Sequence, residues 1–143
     1  MKLRIYLRVV FWMMLLSVSP DLASQIEPKD RLFETRVPFA FSVGDLHFPP
    51  GTYIFSHLGP QPILIEKDDA SATGMLLVQT EPLPQHKNVY PGLLIFNIYG
   101  EHRFLSQIWT GADSQIHHAR KYEAERKLLA ALRPTTVCIR GTR

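Results

Sequence analysis

Residues 93–109 read LLIFNIYGEHRFLSQIW, from Leu93 to Trp109. Two apolar-rich runs, Leu93 to Tyr99 and His102 to Trp109, flank the dipeptide Gly100-Glu101. Glycine at the first position of a two-residue loop supplies the positive φ of a type II′ hairpin turn. That turn sets the register: Tyr99 faces His102, Ile98 faces Arg103, Asn97 faces Phe104 and Phe96 faces Leu105. Both faces of the pair carry large apolar groups, the mark of central strands covered on both sides.

One cover is a helix downstream. Residues 119–132 (ARKYEAERKLLAAL) place Glu123 and Lys127 at helical i, i+4 spacing. Tyr122, Leu129 and Leu132, with Ala124, Leu128 and Ala131 beside them, form an apolar stripe expected to pack inward. Arg133-Pro134 ends the helix, and Thr136 to Ile139 supplies a last short strand.

Upstream, Val37, Phe39, Phe41 and Val43 alternate with smaller residues, which predicts a strand with Pro38 at an unpaired edge or at its start. Further strands are expected through Leu46 and Phe48, over Thr52 to Leu58, over Ile63 to Ile65 and over Thr73 to Thr80, separated by Gly, Pro and Asp turns. Residues 81–92 hold Pro82, Pro84 and Pro91 and are expected to be the longest loop. The fold class is all-β: an antiparallel sandwich or open barrel of about seven or eight short strands with one C-terminal helix. An α+β layering is the alternative, if the helix covers one sheet face.

The chain begins with Lys2, Arg4 and Arg8, an apolar run from Val9 to Val18, then Pro20, Ala23 and Ser24. That order is a secretory signal peptide over residues 1–24, too short for the roughly 20 apolar residues of a membrane span. A polar lead-in over 25–34 and a single β-rich domain over 35–143 follow. A cut after Ala23 leaves thirteen basic against twelve acidic residues, so the net charge of +3 falls to about +1. No basic block with interleaved aromatics remains, which argues against a nucleic-acid partner. The single Cys138 forms no internal disulfide and lies far from the leader, so a packed core rather than covalent staples or a lipid anchor is expected. An odd thiol in an oxidising compartment is free or cross-links two chains.

Val37-Pro38-Phe39-Ala40-Phe41-Ser42-Val43-Gly44, Pro50-Gly51-Thr52-Tyr53, the Tyr99 to Trp109 segment (YGEHRFLSQIW) and Ala124-Glu125-Arg126 together resemble the pattern of a group of small exported bacterial β-rich proteins of uncharacterised function. Pro49-Pro50 and His102 depart from that pattern locally. The resemblance implies a fold and a periplasmic or extracellular place, and carries no catalytic residue with it.

The six histidines, His47, His57, His86, His102, His117 and His118, show no HxxxH spacing, and no CxxC is present. His117 and His118 are neighbours whose side chains point to opposite faces in extended backbone. They are expected to be solvated loop or helix-entry residues, with no metal site and no cofactor. Glu66, Asp68 and Asp69 lack the spacing of a calcium loop and predict a polar turn. Ser56-His57 has no nucleophile elbow around it, and Glu81 and Glu101 are loop acids that a shared sheet end would have to bring together for glycoside chemistry. No catalytic residue is assigned. The expected function is a non-catalytic exported binding or structural module of the cell envelope, meeting a protein, glycan or small apolar ligand. Tyr90, with Lys87 and His86, is the expected contact patch in the proline-stiffened loop. The rival is a small exported hydrolase whose site is assembled from distant residues.

Overall fold

The computed structural model describes residues 30–59, 61–85 and 91–142. The leader therefore lies outside the described residues, as do His86, Lys87 and Tyr90. The described chain forms β1 (Asp30–Val37), β2 (Phe41–Val43), β3 (Leu46–Phe48), β4 (Gly51–His57), β5 (Ile63–Lys67), β6 (Thr73–Leu76), β7 (Val78–Pro82), β8 (Gly92–Tyr99), β9 (His102–Thr110), β10 (Gln115–Ala119), helix α1 (Glu123–Ala131) and β11 (Thr135–Arg140). It is an all-β sandwich with one short helix before its final strand.

One sheet has the order β1-β4-β5-β6, and the other follows β11-β8-β9-β10-β7. Along these two paths every pairing is antiparallel. The β2–β3 hairpin joins the second sheet through a parallel contact of Ser42 with Phe104, on the stretch of β9 that β10 leaves uncovered. The sandwich is joined along both margins. Leu77 alone separates β6 in one sheet from β7 in the other, and Glu34 exchanges two backbone hydrogen bonds with Thr142, of 2.9 and 2.6 Å.

The β8–β9 hairpin has the register that its turn dictates. Tyr99 faces His102, Ile98 faces Arg103, Asn97 faces Phe104 and Phe96 faces Leu105. Gly100 has φ +61°, while Glu101 is not among the residues with positive φ, the signature of type II′. A bulge between Ile95 and Phe96 then keeps Leu94, Phe96, Leu105 and Ile108 in the core.

Period-two alternation sends Tyr53 and Phe55 inward from β4 to meet Phe33, Phe41, Phe48 and Phe96. Phe33 stacks on Phe55 with centroids 5.0 Å apart. Its ring is also seated against Gly92 and Gly141, where an added Cβ would come within 2.4 Å of it. These two glycines let backbone approach the ring as no other residue would.

Four expectations for the strands and their connections need correction. Residues 30–34 of the expected polar lead-in open β1, with Phe33 buried and Glu34 bridged to Thr142. The strand expected over 37–43 breaks at Pro38, which has no N–H to extend the ladder; Val37 ends β1 in one sheet and Phe41 begins β2 in the other. Phe39 still packs inward, edge-on to Phe96 and beneath the Arg103 guanidinium. The strand expected over 73–80 bends between sheets, with Leu76 and Val78 buried on either side of an exposed Leu77. Pairing with β10 carries its second half through Pro82, so Glu81 and Pro82 are strand residues, not the start of a loop.

The helix is shorter than 119–132 because Ala119 remains in β10, paired to Val78. Its apolar stripe does not pack as expected: Leu129 and Leu132 are exposed, and Glu125 is the helix's buried residue. A polar contact seats α1 instead. Glu125 Oε1 accepts hydrogen bonds from Asn97 Nδ2 and Tyr99 Oη, both 3.2 Å, over the outer face of the hairpin. The helix does cover that face, where Tyr99 and Phe104 meet edge-on.

Candidate functional site

Alternation along β4 places His57 on the same face as Tyr53 and Phe55, so its ring enters the space between the sheets. Thr110, at the end of β9, and His117, in β10, are both fully buried and share the face of Ile108, which sits opposite His117. Between them the chain turns through Gly111 to Ser114, and Ser114 takes the left-handed φ of +55°. Gly111 N donates to Pro91 O at 3.1 Å and Leu83 N to Ser114 O at 2.8 Å, which ties the turn to the flanking segments.

That turn carries Asp113 into contact with both histidines. Asp113 Oδ2 lies 2.9 Å from His57 Nε2 and 3.5 Å from His117 Nε2. The Thr110 hydroxyl donates to Asp113 Oδ1, and it lies 3.1 Å from His117 Nε2. The ligand atoms of His57, Asp113 and His117 fall within 4.8 Å of one another. The His117 side chain is 1% exposed, whereas those of His57 and Asp113 are 20% and 27% exposed, so the cluster opens to water on one side only.

The electrostatics follow from this placement. Burial pushes His117 below the ordinary imidazole range, only partly offset by the Asp113 charge, and keeps the ring neutral at physiological pH. Burial alone would raise the Asp113 carboxyl, but hydrogen bonds from Thr110 and His57 and the neighbouring imidazole charge hold it below the usual carboxylate range. The result is a negative carboxylate facing two Nε2 atoms.

The sequence expectation of solvated histidines thus fails for His57 and His117, which the sandwich buries. His118 does point the other way from β10, and it pairs with Glu81 at 3.0 Å. His47 bonds Ser42 at 2.7 Å within the β2–β3 hairpin, and His102 is exposed at the β9 start. Two signals for the site stood in the sequence. Asp113 and His117 are four residues apart across a turn, and His57 continues the inward alternation of Tyr53 and Phe55. Neither is an HxxxH pattern, and the third partner comes from the other sheet.

The remaining candidates are accounted for otherwise. Asp69 accepts from Ser71 N at 2.9 Å and Ser71 Oγ at 2.5 Å and pairs with Lys67, so residues 68–71 form a polar turn, while Glu66 and Lys67, expected in it, end β5. Lys67 and then Ser71 hold the Asp69 carboxyl well below its usual range. Glu81 sits level with Ile116 and Trp109, whereas Glu101 lies beyond His102 at the far end of β9. Seven residues of strand, roughly 23 Å, separate those levels. The two acids share no sheet end, and glycosidase carboxyls are only about 5–9.5 Å apart. Ser56 Oγ and Thr110 Oγ1 are both enclosed, and Ser56 lies on the face opposite His57. Cys138 is a free, exposed thiol on β11, opposite Ile95. Among the described residues no helix is long and apolar enough to cross a membrane.

No protein-family model, curated protein or solved structure matches this chain.

Proposed function

We propose that the protein is an exported, non-catalytic binding or structural module of the cell envelope. The observation that carries this reading is the geometry of the polar cluster between the sheets. A hydrolytic triad needs its carboxylate on the imidazole nitrogen remote from the nucleophile. Asp113 and Thr110 instead meet His117 at the same atom, Nε2, while Nδ1 has no hydrogen-bond partner. Thr110 is also fully buried, where no substrate carbonyl reaches it. Two features among the described residues favour the rival hydrolase: the 3.1 Å contact of Thr110 with His117, and the convergence of two imidazoles and a carboxylate at a partly exposed spot.

Export rests on the basic, apolar and small-residue order of residues 1–24. The contact patch proposed for an envelope protein, glycan or small apolar ligand is Tyr90 with Lys87 and His86, where flanking prolines lower the entropy lost on docking.

Recovery of the native protein from an envelope fraction tests the reading. Its intact mass should correspond to a chain beginning near Ser24 or Gln25, and any co-purifying partner should bind less tightly after Tyr90→Ala with Lys87→Ala. A membrane-bound full-length species with no shorter form makes the leader an anchor instead of a removed signal peptide. Turnover of an ester, peptide or glycoside substrate that is abolished by one His or Glu substitution replaces the module with the enzyme.

A further inference from the structure

The geometry points to a binding site for one divalent transition-metal ion of the zinc class, held by His57 Nε2, His117 Nε2 and Asp113 Oδ2. This goes beyond the proposed function and does not depend on export or on a partner.

Three features carry it. The donors come from three separate places in the chain, namely β4, the turn after β9, and β10, yet they converge with none farther than 4.8 Å from another. Metal bonds of about 2.0–2.1 Å place tetrahedral ligands about 3.4 Å apart. The Asp113 oxygen lies 2.9 and 3.5 Å from the two nitrogens, on either side of that spacing. Small side-chain movements therefore suffice, without opening the sandwich.

The donor set selects the ion. Two imidazoles and one carboxylate suit zinc and its borderline neighbours, whereas calcium and magnesium demand mostly oxygen ligands. Asp113 would neutralise one positive charge of the ion, and the partial exposure of His57 and Asp113, 20% and 27%, would let water complete the shell. Thr110 supplies the outer support. Its hydroxyl holds Asp113 Oδ1, which leaves Oδ2 aimed at the ion. Each ring would coordinate through Nε2 with its proton on Nδ1, an atom that is buried and makes no hydrogen bond in either ring.

The remaining histidines form no competing set of this kind among the described residues. His118 pairs outward with Glu81, and His47 with Ser42.

Equilibrium dialysis of the protein, purified without a histidine tag, against zinc alone tests the site. One equivalent should bind in the presence of excess magnesium and calcium. His57→Gln and Asp113→Asn should each weaken zinc by at least about tenfold, while His102→Gln at the exposed strand start leaves it unchanged. Cobalt in place of zinc should give the intense visible bands of tetrahedral coordination. A measurement that needs no variant follows the imidazole nitrogens by NMR: zinc should shift Nε2 of His57 and His117 and leave His47 and His118 in place. Less than one equivalent bound, an equivalent that survives both substitutions, or shifts confined to other histidines overturns the site.

Discussion

His57 Nε2 lies 2.9 Å from the carboxylate of Asp113, 56 positions later in the chain. The first residue ends a strand of one sheet and the second sits in a turn of the other, so the contact clasps the two layers at one end of the sandwich. It is also charge-assisted and only partly exposed, the combination in which a polar contact contributes measurably to stability.

The clasp should make the fold sensitive to acid. Asp113 and His117 both have folded-state proton affinities below their ordinary values, so the unfolded chain binds the extra protons. Stability is then fully present above about pH 6.5 and falls as pH drops, first through His117 and then, near pH 4, through Asp113. Chemical denaturation at a series of pH values measures this directly. An NMR titration that placed the His117 midpoint above 6.5 would contradict the burial argument.

Alkali should act through Tyr53. Burial, with the charges of Asp69 and Asp68, pushes its phenol up to about 12, and its hydroxyl donates to the Pro49 carbonyl. The unfolded chain releases this proton first, so stability is intact below pH 10 and declines between 10 and 12. Tyr53→Phe should flatten that decline, as read by melting temperature against pH, at the expense of the lost hydrogen bond at neutral pH.

Gly100 isolates backbone strain from crowding. Nothing lies within 4 Å of a Cβ placed there, yet its φ is +61°. Gly100→Val should therefore destabilise the protein by about 1 kcal/mol or more, because a β-branched side chain resists positive φ. An unchanged melting temperature would show that the turn is not type II′.

Glu125 is the anchor of α1. Glu125→Ala leaves Tyr99 Oη and Asn97 Nδ2 without their shared acceptor, and should cost about 1–3 kcal/mol. Glu125→Gln, which keeps an oxygen in place, should cost less. The exposed pair Glu123–Lys127, 2.9 Å apart, is the comparison: its removal should change stability by well under 1 kcal/mol.

Local chemistry made much of the fold legible. Gly100-Glu101 specified a turn, and the turn specified a register of four residue pairs that the hairpin adopts. Alternation found the buried Val37, Phe41 and Val43, and even the half-buried Phe39, across an interruption of the strand. Where hydrogen-bond continuity changed without a change in periodicity, the pattern was blind: Leu77 passes between sheets inside an unbroken β-like run, and the polar Glu34 belongs to a strand because β4 pairs with it at Ile54. The helix was visible, but its packing was not, because a charged residue rather than the leucines faces the sheet. For the polar cluster the same limit applies. Its Asp113–His117 half is local, while His57 arrives through the stacking of two sheets, which no spacing rule encodes.

The contacts of residues 140–142 have a consequence for the order in which the molecule can assemble. Thr35 Oγ1 reaches the Arg140 carbonyl, Gly141 N the Gly92 carbonyl, and Thr142 the Glu34 backbone, over sequence separations that rise to 108. Closing so long a loop is entropically unfavourable until most of the intervening strands are in place. A chain emerging from the ribosome can form the β4–β5 and β8–β9 hairpins early, but its first margin stays open until residue 142 is available. Folding is thus timed by the contacts of residues 140–142, and until they form, the sandwich stays open beside β1.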